Sequence, residues 1–441
     1  MGLVIIIIAC AIGLYMAWTI GANDFANALG SAVGSRSISV RWAIILGAVC
    51  ELGGSVLVGV YVSDTLRKGI VVPEVFARMA HGTDTELAAL MVLGMTSAML
   101  GASVWLHVAT WLAMPVSTSH AIVGAITGFG IAAAGWGVVD WGTMTRIGTS
   151  WVLSPVAGLA GGHLVFRLIQ WRILRSDRPI AGAIACTPTL VFVTAAVVAA
   201  SVLYKGHILD TMGVRSQWLQ GNCGLLAAAG VGLIAALCSR AAIIRYLRDA
   251  HGLPLAEQII RVESVFIPLV IVTACGVAFA HGANDVANAI GPLAAVNDMV
   301  RTGSIYGSGA IPVWMLTLGG SGIVLGLTTY GHKVMQTVGA EITALTPSRG
   351  VAASLATTAT VLVCCRLGWP VSTSHTIVGA VIGVGLARGL GAVNLSVTRQ
   401  IVLTWLITVP AAALVTVLLF LAGRALQLDA VIARAIATGT P

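Results

Sequence analysis

The sequence has very few charged residues. They make up 9% of its 441 residues, whereas hydrophobic residues make up 58% and the mean hydropathy is +0.96. Soluble globular chains contain roughly 25% charged residues, so this composition excludes that class and predicts an integral membrane protein. The formal net charge of +8 would otherwise suggest nucleic acid. In so apolar a chain it indicates loops that face anionic lipid, and we expect no nucleic-acid partner.

The sequence also shows little sign of a cysteine framework, and we expect no cleavable leader. Its eight cysteines are scattered through apolar segments without metal-site spacing, and we expect small buried hydrophobic side chains. The N-terminal apolar segment has no basic region before it and no cleavage signal. Because it continues directly into a polar motif, we expect a first membrane helix rather than a signal peptide.

Long apolar runs recur along the whole chain. A membrane-spanning helix needs about 20 apolar residues, and several runs contain glycine or proline, so we predict about 12 spans, some of them broken or re-entrant. The predicted spans are near 3–28, 42–62, 87–108, 115–135, 147–168, 182–203, 220–240, 263–292, 311–330, 350–367, 370–388 and 399–422. The last stretch, 424–438, is expected to be an amphipathic surface helix.

Three motifs occur twice in the same order. They are GANDFANALG at 21–30 and GANDVANAIG at 282–291, LGGS at 52–55 and 318–321, and PVSTSH at 115–120 and 370–375. The nearly constant offset indicates a duplication, in which Glu51 corresponds to Thr317. We expect repeats over 1–140 and 263–395, connecting spans and a cytoplasmic loop over 141–262, and a final span with an amphipathic segment over 396–441.

Two basic loops predict the orientation. They contain Arg167, Arg172, Arg175 and Arg178, and Arg240, Arg245, Arg248 and Arg261. Since basic loops face the cytoplasm, the N-terminus is expected outside. An odd number of spans separates the two equivalent helices, so the repeats are expected to be inverted, the usual plan of secondary transporters. The loop with Arg67, Lys68 and Arg78 is an exception.

Each copy of the first motif places amide and carboxylate groups on one helical turn. They are Asn23, Asp24 and Asn27, and Asn284, Asp285 and Asn288. Such residues are expensive in a membrane, and their oxygens suit a small hard cation. The flanking glycines would let the helix unwind or pack closely. Hydrogen-bonded helix packing is the alternative. Glu51 is a candidate for a cation or proton role.

Each PVSTSH motif predicts a helix start. Serine or threonine caps the first turn after a proline, and free backbone N–H groups there favour an anion. Two such helix ends could hold one tetrahedral oxyanion, with ordinary capping as the alternative. The neighbouring His120 and His375 could contact the anion, carry protons or pack. An anion near Asp24 and Asp285 would be repelled unless cations are bound, which favours symport.

These motifs resemble the signature sequences of the PiT family of inorganic phosphate transporters. The segment 41–68 and the Thr-Pro-Ser-x-Gly sequence at 346–350 are also similar to that family. The resemblance implies two inverted repeats with about 12 spans, a homodimer, and symport of phosphate with Na⁺ or H⁺. It assigns phosphate oxygens to Ser117, Thr118, Ser119, Ser372, Thr373 and Ser374, and the ion and phosphate site to the six Asn and Asp residues. The short connection near 240–262 fits a prokaryotic member.

The sequence therefore predicts a multi-pass transporter in the cell membrane that imports phosphate by alternating access. We assign cation binding to Asp24, Asn27, Asp285, Asn288 and Glu51, and phosphate binding to the hydroxyl residues with Asn23 and Asn284. Na⁺ is favoured over H⁺, and no cofactor besides the coupling ion is expected. The alternatives are an H⁺-coupled symporter, a sulfate permease, and a membrane-embedded hydrolase with Ser117 or Ser372 as nucleophile and a histidine as base. The hydrolase is disfavoured because adjacent helix positions, such as Ser119 and His120, do not face each other.

Overall fold

The computed structural model describes residues 1–60, 62–63, 70–112, 114, 116–203, 217–306, 309–331, 343–369 and 371–438, with side chains omitted at residue 26 and residues 217–221. These residues are almost entirely helical. The helices are α1 (Gly2–Gly34), α2 (Val40–Val58), α3 (Pro73–Ala80), α4 (Asp84–Trp111), α5 (Thr118–Ala134), α6 (Trp141–Ile169), α7 (Pro179–Leu203), α8 (Gln217–Tyr246), α9 (Leu255–Thr302), α10 (Val313–Thr329), α11 (Pro347–Arg366), α12 (Thr373–Arg388), α13 (Leu395–Ala425) and α14 (Leu428–Ala437). Pro115, Pro370, Arg67 and Lys68 lie outside the described residues.

Each of the 12 predicted spans contains a helix, but their lengths differ. Among the described residues, nine helices are long and apolar enough to cross a membrane, namely α1, α2, α4, α6, α7, α8, α9, α11 and α13. The chain is therefore a multi-pass membrane protein. By contrast, α5, α10 and α12 have only 17, 17 and 16 residues, about 25 Å, which is shorter than the hydrocarbon core.

The short helices α5 and α12 are the second arms of two helical hairpins. In each hairpin a longer helix, α4 or α11, packs against the short one after a brief turn. Ser117 and Ser372 are the N-caps of α5 and α12, as the PVSTSH motifs predict. A capped helix N-terminus in the middle of an apolar protein leaves backbone N–H groups free for a ligand.

Glycines bring the two motif-bearing helices against their neighbours. A Cβ on Gly21 of α1 would overlap the carbonyl of Ile323 on α10, and one on Gly282 of α9 would overlap the carbonyl of Glu51 on α2. Both α1 and α9 continue as α-helices through their motifs. The glycines therefore serve close packing, and the suggested unwinding does not occur.

These contacts also show which residues of α2 correspond to which residues of α10. Gly47 packs on Phe25 and Leu29, and Gly319 packs on the corresponding side chains of α9. Glycine 47 thus matches glycine 319, and Glu51 matches Ile323, an offset of 272 residues. The alignment of Glu51 with Thr317 through the LGGS motif is wrong by six positions, because a four-residue match carries too little information to fix a helix register.

The correspondence continues into helices beyond the predicted repeats. Gly379 of α12 packs on the carbonyl of Pro155 in α6, and Gly124 of α5 packs on that of Val409 in α13. Thus α6 contacts α12 in the same manner as α13 contacts α5. The contacts place α6 and α13 in equivalent positions, although the sequence division ended the repeats at residues 140 and 395.

The cysteines have mixed environments. All eight are free, and only Cys365 is fully buried, whereas Cys223 and Cys238 on α8 are exposed. The expectation that all are buried is therefore wrong for these two. They lie on α8, little of which is buried inside the chain, so the other helices of the chain leave such positions uncovered.

Candidate functional site

Two aspartates meet at the centre of the molecule. Asp24 comes from α1 and Asp285 from α9, and each is 1% exposed. A histidine of α9, His281, lies between them with its Nε2 atom 3.5 Å from Asp24 and 3.3 Å from Asp285. One ligand atom from each of the three lies within 4.8 Å of the others. The two distant copies of the Asn-Asp motif thus form one site.

Asp24 is held by its own motif and by the opposite hairpin. Its Oδ1 atom accepts hydrogen bonds from Asn27 Nδ2 and from Ser374 Oγ, both at 2.7 Å. Asn27 also donates to Ser374 Oγ at 2.9 Å. Because Ser374 lies in the first turn of α12, the first motif is joined to the second hairpin.

Asp285 is held by both hairpins. Thr118 Oγ1 donates to its Oδ1 at 2.7 Å, and Thr373 Oγ1 donates to its Oδ2 at 2.8 Å. Asn288 Nδ2 donates to Asp285 Oδ1 at 2.8 Å and to Thr118 Oγ1 at 3.2 Å. The first turns of α5 and α12 therefore converge on the two aspartates, as the sequence suggested.

Asn23 and Asn284 contact the turns of the hairpins. Asn23 Nδ2 donates to Thr110 Oγ1 at 2.8 Å, and its Oδ1 accepts from Val116 N at 3.2 Å. Asn284 Nδ2 donates to the carbonyl of Val371 at 2.7 Å. In this conformation the two amides position the turns before α5 and α12, and both are fully buried.

The remaining serines of the PVSTSH motifs also bond to the protein. Ser117 Oγ accepts from His120 N at 3.3 Å, and Ser372 Oγ accepts from His375 N at 3.2 Å. Ser119 Oγ donates to the carbonyl of Val371 at 3.0 Å. The serine caps fit the sequence expectation, and Ser119 ties one hairpin to the turn of the other.

The structure places Glu51 at the site through His281, a residue that the sequence motifs did not assign to it. Glu51 projects from α2, is 1% exposed, and has both carboxylate oxygens 2.7–2.8 Å from His281 Nδ1. His281 therefore links Glu51 to the two aspartates. A signal was present, since a histidine one turn before Asp285 shares its helix face, but the first motif has Ile20 there.

His120 and His375 lie behind the hairpin ends, packed between aromatic rings. The ring of His120 is centred 3.7 Å from Trp151, that of His375 is 3.6 Å from Trp405, and the two histidines meet at 4.3 Å. Neither ring forms a hydrogen bond or an ion pair with an aspartate in the described part of the chain, so their geometry matches the packing interpretation.

Several oxygens at the site lack a close donor. Asn27 Oδ1 and Asn288 Oδ1 are buried without a hydrogen-bond partner among the described residues, and Asp24 Oδ2 has only His281 Nε2 at 3.5 Å. Buried acceptors normally have partners, and an unsatisfied one costs about 1–3 kcal/mol. All three are hard oxygen atoms, so they fit a small cation.

Comparison with known proteins assigns the chain to a family. Residues 20–416 match the model of the "Phosphate transporter family". The chain belongs to that family. Its members transport a substrate rather than convert one, so the hydrolase alternative is wrong. The geometry agrees, because Ser117 caps a backbone N–H while the ring of His120 packs on Trp151.

Two of the similar proteins extend over most of the chain. The "Inorganic phosphate transporter 2-1, chloroplastic" of Arabidopsis thaliana is 39% identical over 423 residues, covering 92% of this chain and 70% of its own. A solved structure described as "The sodium-dependent phosphate transporter" has a TM-score of 0.85 and 37% identity, and covers 96% of this chain and 99% of its own.

Proposed function

We propose that this family member imports inorganic phosphate by symport with a cation, with Na⁺ favoured over H⁺. The observation that carries the proposal is the single buried cluster of Asp24, Asp285 and His281, to which both hairpin ends bond. The sodium dependence named for the similar solved structure supports the choice of ion.

The first step of the mechanism is cation binding. Three carboxylates and one histidine share the buried site, so its charge is negative even with His281 protonated when at least two of the carboxylates are ionised. Burying net charge is unfavourable, and a cation at Asp24 Oδ2 and at the unpartnered amide oxygens of Asn27 and Asn288 would reduce it. H⁺ remains the alternative, with Glu51 and His281 as the groups that would carry it.

The second step couples the cation to phosphate. In this structure the hydroxyl groups of Thr118, Thr373 and Ser374 donate to the aspartates. A cation bound by those carboxylates repels hydroxyl hydrogens, which would then turn toward an anion. Together with the first-turn N–H groups of α5 and α12, they form donors for phosphate oxygens. Each ligand thereby raises the affinity of the other, which is the requirement for coupling.

The transport cycle rests on an arrangement of two inverted repeats that we propose for the cell membrane. Two pairs of matching helix contacts support a two-fold relation between the repeats. In the first pair, α1 packs on α10 as α9 packs on α2; in the second, α6 packs on α12 as α13 packs on α5. We place repeats over 1–174 and 255–425, with α7 and α8 between them, 12 membrane segments, the N-terminus outside, and a homodimer. Alternating access then moves one unit against the other around a fixed site.

The aspartates provide the test. Asp24→Asn and Asp285→Asn should each lower Na⁺-driven phosphate uptake into proteoliposomes at least about 100-fold, since a lost buried charge interaction is worth about 3 kcal/mol. Insertion should be unaffected, because amides are cheaper to bury. Asp298→Asn, on the same helix near its end, is the matched control and should keep normal uptake. Normal uptake by either aspartate variant contradicts the proposal.

A further inference from the structure

A second polar site lies at the far end of α6, away from the aspartates. A cavity of about 460 Å³ is lined by Arg167, Leu168, Gln170, Trp171 and Arg175. The helix here changes to a π turn over Gln170–Leu174, closed by a hydrogen bond of 2.8 Å from Arg175 N to the carbonyl of Gln170. Turns of this kind are rare and often occur at functional sites.

The π turn places the two arginines of the cavity on one face. In a regular α-helix, Arg167 and Arg175 would project about 80° apart, and the one extra residue of a π turn reduces this to about 20°. The other side of the turn is fixed, because Gly182 of α7 packs directly on the carbonyl of Arg172. The arginine face is therefore held outward by packing.

The charges of this face are unbalanced. The ion pair that the described residues form outside the His281 cluster joins Arg424 to Asp429, so Arg167 and Arg175 have no carboxylate partner there. The guanidinium of Arg172 lies 4.4 Å from the ring centre of Trp171. Gln170 Oε1 is buried with no hydrogen-bond partner in the same described part, so it lacks a donor.

Two exposed tryptophans indicate that the cavity lies at the depth of lipid headgroups. Trp171 is 67% exposed, and Trp141 at the other end of the same helix is 47% exposed. About 45 Å of helix separates these two rings, which matches a bilayer with its headgroup regions, where tryptophan is enriched. Leu164 and Leu168 are exposed on the apolar side of the cavity, next to the position of acyl chains.

We propose that this cavity binds the headgroup of an anionic glycerophospholipid. The phosphodiester accepts hydrogen bonds from Arg167 and Arg175, as guanidinium groups favour. A headgroup hydroxyl, as in phosphatidylglycerol, donates to Gln170 Oε1. The site is separate from the transport site, and the inference rests on membrane residence alone. On the orientation proposed above it faces the cytoplasmic leaflet, where anionic lipids attract basic segments.

Native mass spectrometry of the full chain in neutral detergent tests this site. The wild type should retain phosphatidylglycerol and not phosphatidylcholine of equal chain length. The double variant R167Q/R175Q should bind phosphatidylglycerol about 30-fold more weakly, and the matched variant R240Q/R245Q, with arginines on α8 outside the cavity, should bind it normally. Equal loss in both variants, or equal binding of the two lipids, would overturn the proposal.

A competition arm separates a lipid site from a site for free anions. Saturating inorganic phosphate should leave phosphatidylglycerol binding unchanged, because acyl contacts and the Gln170 hydrogen bond distinguish the lipid. Displacement by phosphate alone would show a free-anion site and overturn the lipid assignment. Gln170→Leu should lower the preference for phosphatidylglycerol over phosphatidylmethanol several-fold, since both are phosphodiesters and only the former carries a headgroup hydroxyl that can donate. An unchanged preference would contradict that contact.

Discussion

The two halves of the molecule differ in what lies beside the shared Asn-Asp motifs. In one half, Glu51 of α2 bonds to His281 of α9. At the corresponding positions of the other half, Ile323 of α10 and Ile20 of α1 are both fully buried. Among the described residues, the two halves therefore carry two aspartates but one buried acid–histidine pair.

This difference shows what the framework needs and what the site adds. In the half that lacks the acid–histidine pair, which we call the apolar half, Ile20 and Ile323 fill the contact between α1 and α10 without any charge. Buried ion pairs are weak contributors to stability and often replaceable by apolar residues. The Glu51–His281 pair is therefore best explained by its contact with the two aspartates, where it adjusts the charge that a cation meets.

Replacing Glu51 and His281 by the isoleucines of the apolar half is expected to have the largest effect on stability and uptake. His281→Ile alone should destabilise the protein by about 3–5 kcal/mol, because it leaves Glu51 buried without a partner. The double variant Glu51→Ile with His281→Ile should recover most of that stability and still lack coupled uptake. Thermal unfolding in detergent and proteoliposome uptake measure the two quantities.

The apolar half supplies the control for this conversion. Ile20→Val with Ile323→Val should cost about 1 kcal/mol per site and keep coupled uptake. Normal uptake by the Glu51→Ile, His281→Ile double variant would show that the pair only fills space, and would contradict its role at the site.

The glycine crossings should respond alike in both halves. Gly21→Ala and Gly282→Ala each place a methyl group against a backbone carbonyl of the facing helix, which cannot rotate away. We expect about 3 kcal/mol of destabilisation from each, measured by thermal unfolding. Gly148→Ala is the control, because its Cβ would meet open space. A clear difference between the first two variants would contradict the equivalent packing.

A smaller effect separates two serines of the hairpin ends. Ser374→Ala removes a donor to Asp24, so Na⁺ should bind roughly 10-fold more tightly in the absence of phosphate, while phosphate binds more weakly. Ser117→Ala loses only a helix cap, about 1 kcal/mol of stability, and should leave Na⁺ affinity unchanged. Calorimetric titration with NaCl measures the Na⁺ affinity of both variants. Weaker Na⁺ binding by Ser374→Ala would contradict the proposal that this hydroxyl group switches its hydrogen bond from aspartate to phosphate.

Much of the fold followed from simple physical rules. Hydropathy located a helix in every predicted span, and the serine caps located the starts of α5 and α12. The correspondence of residues between α2 and α10 could not be derived from these rules, because it depends on glycine contacts between helices distant in sequence. The similar contacts of α6 with α12 and of α13 with α5 also did not follow, because they join helices that carry no shared sequence motif.

The sequence predicted which residues form the site better than it predicted the contacts between them. Repetition identified Asp24, Asp285 and the hydroxyl residues of the hairpins, and the structure brings them together. The link through His281 was not predicted, because it breaks the symmetry on which the sequence argument rested. The turn contacts of Asn23 and Asn284 were also missed, since they involve backbone atoms that motifs do not encode.

Uptake of radiolabelled phosphate into proteoliposomes tests the central claim most directly. An imposed Na⁺ gradient is compared with an imposed H⁺ gradient, with excess unlabelled sulfate as competitor. The account predicts accumulation driven by Na⁺ and unaffected by sulfate, because the Asn and Asp oxygens of both motifs form one cation site beside the anion donors. Accumulation driven only by H⁺, or uptake of sulfate in place of phosphate, would contradict it.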